Sequence, residues 1–198
     1  VVDPGDCEIV NGENLAGEPR DEVTFNKVRI TADSAAPTGT GVTNIVLTGA
    51  LIRSVMMAGS LQRLLDLTVT YSKERTQFGR SIGRFQAVQQ QLAMLAGETT
   101  AAQIAASAAI EAYEADGSEE AIMSAKIRAG EAASTAAPIA HQVHGAIGFT
   151  DEHALHQTTR RLWAWRDEFE SESEWAKRLG QRVIEDTGHS LWSFMTNV

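Results

Sequence analysis

Lys73-Glu74-Arg75-Thr76-Gln77-Phe78-Gly79-Arg80-Ser81-Ile82-Gly83-Arg84-Phe85-Gln86 is the stretch that decides the fold, because it separates two long helical patterns. Before it, from Val42 to about Tyr71, apolar residues recur at Val46, Ile52, Val55, Met56, Leu61, Leu64, Leu65 and Val69. Steps of three and four are the helical period. After it, a second pattern runs from about Arg84 to Tyr113 and stops at Asp116-Gly117. The stretch itself brings a basic side chain, an amide, two aromatics and two glycines to one helix-to-helix corner. An arginine fork matches phosphate oxygens, and Gln77, Gln86 and Phe78 can meet a heterocycle. The same residues also suit a glycine-capped turn with a solvated arginine.

Further along, Ser118 is an N-cap type, with Glu119 and Glu120 in the positive first turn of a third helix that reaches about Val143. Pro138 predicts a kink or break in it. A short helix follows Asp151, and another covers roughly residues 170–186. Three long helices and a shorter one make an antiparallel four-helix bundle, so the fold class is mainly α. The alanines at 101, 102, 105, 106, 108 and 109 permit close helix approach. No proline interrupts residues 38–137. Gly49 and Gly59 each weaken the first helix by about 1 kcal/mol.

Residues 1–20 read as loops. Val23-Thr24-Phe25-Asn26-Lys27-Val28-Arg29-Ile30 alternates as a strand. One strand needs partners, so residues 1–37 read as the end of a β domain and 38–198 as the helical domain. Either the rest of the sheet precedes this chain or the strand pairs with another chain.

The 198 residues carry a net charge of −9 and are 43% hydrophobic. An acidic chain of this kind lacks a nucleic-acid surface. Cys7 is the only cysteine, which excludes an internal disulfide framework. No apolar run reaches the roughly 18 residues of a membrane span, and no secretory leader is recognisable, so the expected compartment is the cytosol.

Two more motifs carry chemistry. Gln142-Val143-His144-Gly145-Ala146-Ile147-Gly148-Phe149 is a helix end opening into small residues, where a ligand can approach the backbone; a C-cap and turn use the same pattern. Arg160 to Trp175 packs aromatics, arginines and acids together. A carboxylate among aromatics is a usable general base, and an amphipathic connector explains the same residues. His141/His144 and His153/His156 share helix faces, but without cysteine or an HExxH spacing they read as ordinary histidines and no metal is expected.

Taken in order, these pieces resemble the acyl-CoA dehydrogenase family. Glu74-Arg75-Thr76-Gln77-Phe78-Gly79, then Ile82 and Phe85-Gln86, is similar to its "ER-x-x-FG-x-x-I-x-x-x-Q". Gln142 to Phe149 is similar to "Q-x-x-GG-x-G-F/Y", and Phe25 to Ile30 to the strand closing its middle β domain. The resemblance implies FAD, an acyl-CoA substrate and α,β-dehydrogenation to the 2-enoyl-CoA. It implies a dimer of dimers, homomeric or heteromeric, and an electron-transfer flavoprotein as acceptor. It makes Arg75, Gln77, Phe78, Gln86, Gln142, Gly145 and Ala146 cofactor contacts across subunits. By the pattern "Y-E-G-T-x-x-I", Phe169-Glu170-Ser171-Glu172 makes Glu170 the catalytic base. The chain departs from the family at Ser171 for glycine, Glu172 for threonine and Ala146 for glycine. Where other members carry a base on the first helix, Gly49 and Ala50 stand here. The departures suggest a heteromeric branch, such as the steroid side-chain enzymes. Two alternatives stand beside catalysis: a non-catalytic partner subunit, and a flavin-free helical interaction module.

Overall fold

The computed structural model describes residues 2–31, 33, 35, 41–115 and 118–185. The expected domain boundary at residues 37–38 and the helix stop at Asp116-Gly117 lie outside them. Among the described residues five α-helices form the body: α1 (Val42–Glu74), α2 (Gln86–Ala115), α3 (Glu119–His144), α4 (Leu155–Asp167) and α5 (Glu172–Glu185). α1, α2 and α3 pack on one another, and α4 lies against α1 and α3. The fourth position of the bundle is filled in two pieces. α4 closes one half of the core, where Leu155, Leu162 and Trp165 meet Met57, Leu61, Leu64 and Leu95. α5 closes the other half, where Trp175 meets Leu47, Leu51, Ala109 and Ile122.

The face that α1 buries differs in part from the expected one. Leu61 and Leu64 are in the core, with Leu47, Leu51 and Met57, whereas Ile52, Val55 and Met56 are exposed. They form a second apolar face with Val42 and Ile45. A helix that is apolar on both sides satisfies the spacing rule for either one. By length and composition alone α1 is also apolar enough to cross a bilayer, contrary to expectation; in this fold it is a core helix of the bundle.

Pro138 lies inside α3 and does not end it. Ala136, Ala137 and Ala140 around it are fully buried in the core. Packing on that face outweighs the roughly 3 kcal/mol that an interior proline costs. The same alanine face continues through Ala125, Ala129, Ala132 and Ala133, all fully buried. Fully buried alanines therefore line α3 as well as α2, where Ala102 and Ala109 are fully buried.

Near the start of the chain, β1 (Glu8–Val10) pairs antiparallel with β2 (Glu22–Thr24), with Ile9 opposite Val23. The strand expected over residues 23–30 is thus shorter, and its partner comes from the segment read as loop. Three residues are too few to show an alternation, which is why Glu8-Ile9-Val10 carried no strand signal. Beyond β2, Phe25 and Ile30 are exposed and outside any strand.

The hairpin is tied to α4 and its end by polar contacts. Trp165 Nε1 donates to Glu18 at 2.7 Å, Arg160 Nε donates to the Leu15 carbonyl at 2.7 Å, and Arg161 pairs with Glu18. Arg20 Nε and Asn14 donate to Glu168 at 2.9 and 3.0 Å, and Arg53 of α1 pairs with the same carboxylate at 2.5 Å.

Candidate functional site

The corner after α1 is more structured than a turn. Arg75 caps α1, its N–H donating to the Tyr71 carbonyl at 2.9 Å. Then β3 (Thr76–Gln77) pairs with β4 (Arg80–Ser81), Gln77 opposite Arg80. This register leaves Phe78-Gly79 as a two-residue loop with φ of 52° and 77°. Positive φ at both positions is what a type I′ hairpin turn requires. Glycine adopts it freely, but a phenylalanine there is uncommon and costs on the order of 1 kcal/mol or more. The ring is also 91% exposed. It meets Phe85 edge-on at 6.2 Å, and Arg80 lies over Phe85 at 4.2 Å. Arg75, Gln77 and Gln86 are exposed on the same corner.

The end of α3 lies beside that corner. Tyr71 stacks on His144 at 4.5 Å, one turn before Arg75 on α1 and one residue before the helix cap Gly145 on α3. Gly145 has φ 64°, and Gln142, Gly145 and Ala146 are exposed. Beneath them the histidines are packed. His141 stacks on Phe149 at 4.3 Å and pairs with Thr159 Oγ1 at 3.0 Å. His144 Nδ1 donates to the Ala140 carbonyl at 2.7 Å. Burial lowers the pKa of both rings, since desolvation disfavours the charged imidazolium. Among the described residues no group of three metal-ligating side chains assembles.

The Glu170 loop lies elsewhere on the bundle. α4 ends at Asp167, and the carbonyls of Trp165 and Arg166 accept from Lys126 Nζ at 3.3 and 2.5 Å. A cation on the last carbonyls of a helix complements its dipole. Lys126 is fully buried, and desolvation pulls its pKa down to about 8 against the pull of Glu172, Asp167 and Glu168. Next come Phe169 and Glu170, with φ of 53° and 70°. The Phe169 ring lies on Gly49 of α1 so closely that any Cβ there would overlap it. At the position on the first helix where a base was sought, any side chain would therefore require the Phe169 ring to move. Glu170 is partly buried and pairs with Arg178, while its Oε2 is buried without a hydrogen-bond partner.

The two departures after Glu170 have local explanations. The Ser171 N–H donates to Glu174 at 2.9 Å, one half of a capping box that starts α5. Glu172 turns inward: its Cβ lies 2.9 Å from where a Cβ on Gly130 would stand, and its Oε2 is 3.8 Å from Arg166 Nε. Beside the loop, Asn44, Ile45, Thr48, Gly49, Ile52 and Phe169 line an open apolar concavity of about 380 Å³.

The structure thus brings Arg75, Gln77, Phe78 and Gln86 together at one end, with Gln142, Gly145 and Ala146 next to them. It does not bring Glu170 to them. Along α1, Gly49 and Arg75 are about 39 Å apart at 1.5 Å per residue. Sequence reasoning missed Lys126 and Arg178. Lys126 had a legible signal: it shares the helical stripe of Ile122, Ala129 and Ala133, an otherwise apolar face.

Residues 42–166 match the acyl-CoA dehydrogenase C-terminal domain. Acyl-CoA dehydrogenase IpdE2 of Mycobacterium tuberculosis is 36% identical over 138 residues, which are 70% of this chain and 42% of that protein. Glutaryl-CoA dehydrogenase of Desulfococcus multivorans is 34% identical over 149 residues, 72% of this chain and 33% of that one. Among solved structures, the ChsE4-ChsE5 complex from Mycobacterium tuberculosis has the same fold, with a TM-score of 0.86 at 22% identity over 91% of this chain and 50% of that one. The glutaryl-coenzyme A dehydrogenase glutaryl-CoA complex gives a TM-score of 0.82 at 25% identity over 91% and 48%. The fold is that of a C-terminal helical domain, and the chain belongs to the acyl-CoA dehydrogenase family. It spans half or less of the length of these relatives.

Proposed function

We propose that this chain is the helical part of an FAD-dependent acyl-CoA dehydrogenase with Glu170 as the base. Family membership gives the prior, and one observation carries the assignment: Glu170 Oε2 is buried without a hydrogen-bond partner, on the loop whose preceding residue, Phe169, lines an open apolar concavity. That pairing suits a proton acceptor next to an acyl chain. The Glu170 carboxylate takes the α-proton of the thioester. Bound FAD supplies the acceptor for the β-hydrogen and its electron pair.

The residues at the other end fit such a cofactor. Phe78 offers an exposed flat ring, Arg75 a fork for pyrophosphate, and Gln77, Gln86 and Gln142 amide groups. At Gly79 and Gly145 nothing lies within 4 Å of where a Cβ would be, so backbone and ligand can approach closely. The separation of about 39 Å along α1 between Gly49, beside the Glu170 loop, and Arg75 supports a reading in which this corner and Glu170 of one chain serve different reacting centres. This supports an oligomer in which the corner of one subunit completes a flavin site whose base comes from another. Exposed convergence of these residues counts against a flavin-free interaction module.

The decisive measurement is flavin bleaching in the full-length protein on addition of acyl-CoA. Glu170→Gln is expected to retain FAD and lose turnover by about 10²- to 10⁴-fold. Normal turnover in that variant would remove Glu170 from the mechanism. A second reading, a partner subunit without its own turnover, is favoured by the ion pair that holds Glu170. It expects little FAD in the visible spectrum of the protein alone and full absorbance on co-expression with a partner.

A further inference from the structure

We propose that Arg178 is a positioning residue: it holds Glu170 by one carboxylate oxygen so that the other is free to take a proton. The inference rests on the reading of Glu170 as base.

Two consecutive non-glycine residues with positive φ do not stay in that conformation unaided. Phe169 and Glu170 are held from α5 at two points. Trp175 Nε1 donates to the Phe169 carbonyl at 2.9 Å, and the Trp175 side chain is fully buried in the core. Arg178, one turn further along the same face of α5, lies over the Trp175 ring at 5.0 Å and pairs with Glu170 Oε1 through Nη2. A guanidinium can bind both oxygens of a carboxylate in parallel. Here the hydrogen bond is to Oε1 alone, and Oε2 is left buried without a partner. The capping contact from Glu174 to Ser171 fixes the start of α5 and with it the spacing between Trp175 and the loop. The Trp175 indole thus holds the loop backbone at Phe169 while the Arg178 guanidinium, stacked over that indole, holds the Glu170 carboxylate.

The test uses the full-length protein with FAD. Its flavin reduction is followed in stopped flow with butyryl-, octanoyl- and palmitoyl-CoA and a steroid side-chain CoA thioester, keeping the fastest. Arg178→Met keeps the apolar stem over Trp175 and removes the donors. It is expected to lower the limiting reduction rate about tenfold to a hundredfold, with the half-saturating thioester concentration unchanged. Arg178→Lys is expected to recover part of the rate, because the charge is kept and the fork is lost. In a Glu170→Gln background, Arg178→Met is expected to cost nothing further. A wild-type limiting rate in Arg178→Met, or a loss equal in both backgrounds, overturns the proposal while leaving Glu170 as base. Turnover in Glu170→Gln, or no bleaching by any thioester, overturns the reading of Glu170 and the proposal with it. If Arg178→Met does not retain FAD, Arg178→Lys decides: a rate equal to wild type overturns the proposal, and a reduced rate at unchanged half-saturation supports it.

Discussion

Phe78 and Phe169 share a backbone state and differ in everything else. Their φ values are 52° and 53°. Phe78 is 91% exposed at a hairpin tip; Phe169 is 38% exposed, with its ring seated on Gly49 and its carbonyl held by Trp175. For Phe169 the strain is offset inside the chain. For Phe78 the one ring–ring contact among the described residues is the edge of Phe85. Backbone strain that the fold itself does not offset points to something outside the fold. That is why the hairpin end reads as a place where another molecule is met, and the Glu170 loop as a place prepared in advance.

The largest test of this contrast is Glu170→Gln, with its expected loss of about 10²- to 10⁴-fold in turnover and retained FAD. If the hairpin end alone binds the cofactor, FAD retention is unaffected by any change at the Glu170 loop. Next is Lys126, whose amine caps α4 immediately before that loop. Its folded pKa of about 8 is depressed, so the unfolded chain binds more protons between about pH 8 and pH 10.5. Stability is expected to rise across that window by up to about 3 kcal/mol relative to Lys126→Met. Urea unfolding of both proteins at pH 7 and pH 10 measures it, and a flat difference removes Lys126 from the account.

Gly49 sharpens the Phe169 half. Helix propensity alone favours Gly→Ala by about 1 kcal/mol. At Gly49 the added methyl overlaps the Phe169 ring, so Gly49→Ala is expected to destabilise by about 2 kcal/mol. At Gly59 of the same helix nothing lies within 4 Å, and Gly59→Ala is expected to stabilise by up to about 1 kcal/mol. Equal signs for the two in chemical denaturation would break the comparison. Smallest in stability is Phe78→Asn, since asparagine tolerates positive φ. It is expected to leave stability unchanged or raise it by up to about 1 kcal/mol while weakening FAD binding about tenfold. Titration of the full-length apoprotein with FAD reads the second effect.

The long helices were legible because long runs of three-and-four spacing leave few alternatives, and α1, α2, α3 and α5 lie within a few residues of their expected spans; α4, expected only as a short helix after Asp151, runs on to Asp167 through residues read as a connector. What was not legible shares a physical cause: it depends on very short elements or on residues far apart in sequence. β3 and β4 have two residues each, below any alternation. Phe-Gly is not one of the turn pairs that signal a type I′ hairpin, so the loop was read only as a corner. The two apolar faces of α1 have the same period, and the chain alone does not say which one α2 and α3 cover. In the candidate site, the convergence of Arg75, Phe78 and Gln142 could be read from ordered motifs. The Arg178 grip on Glu170 needs the reversal at Phe169, and the closure of Gly49 needs a ring from a segment more than a hundred residues away.

One contact has a practical edge. Glu168 receives Asn14 and Arg20 from the first hairpin and Arg53 from α1, two residues before Glu170. Trp165, which reaches Glu18, sits in the core a turn earlier. Removing the first forty residues to isolate the bundle would therefore not yield the same bundle. It would leave Glu168 with Arg53 alone and strip the cover from the indole nitrogen of Trp165, so a measurement on such a truncated helical piece would report on a loop that has lost one of its two moorings.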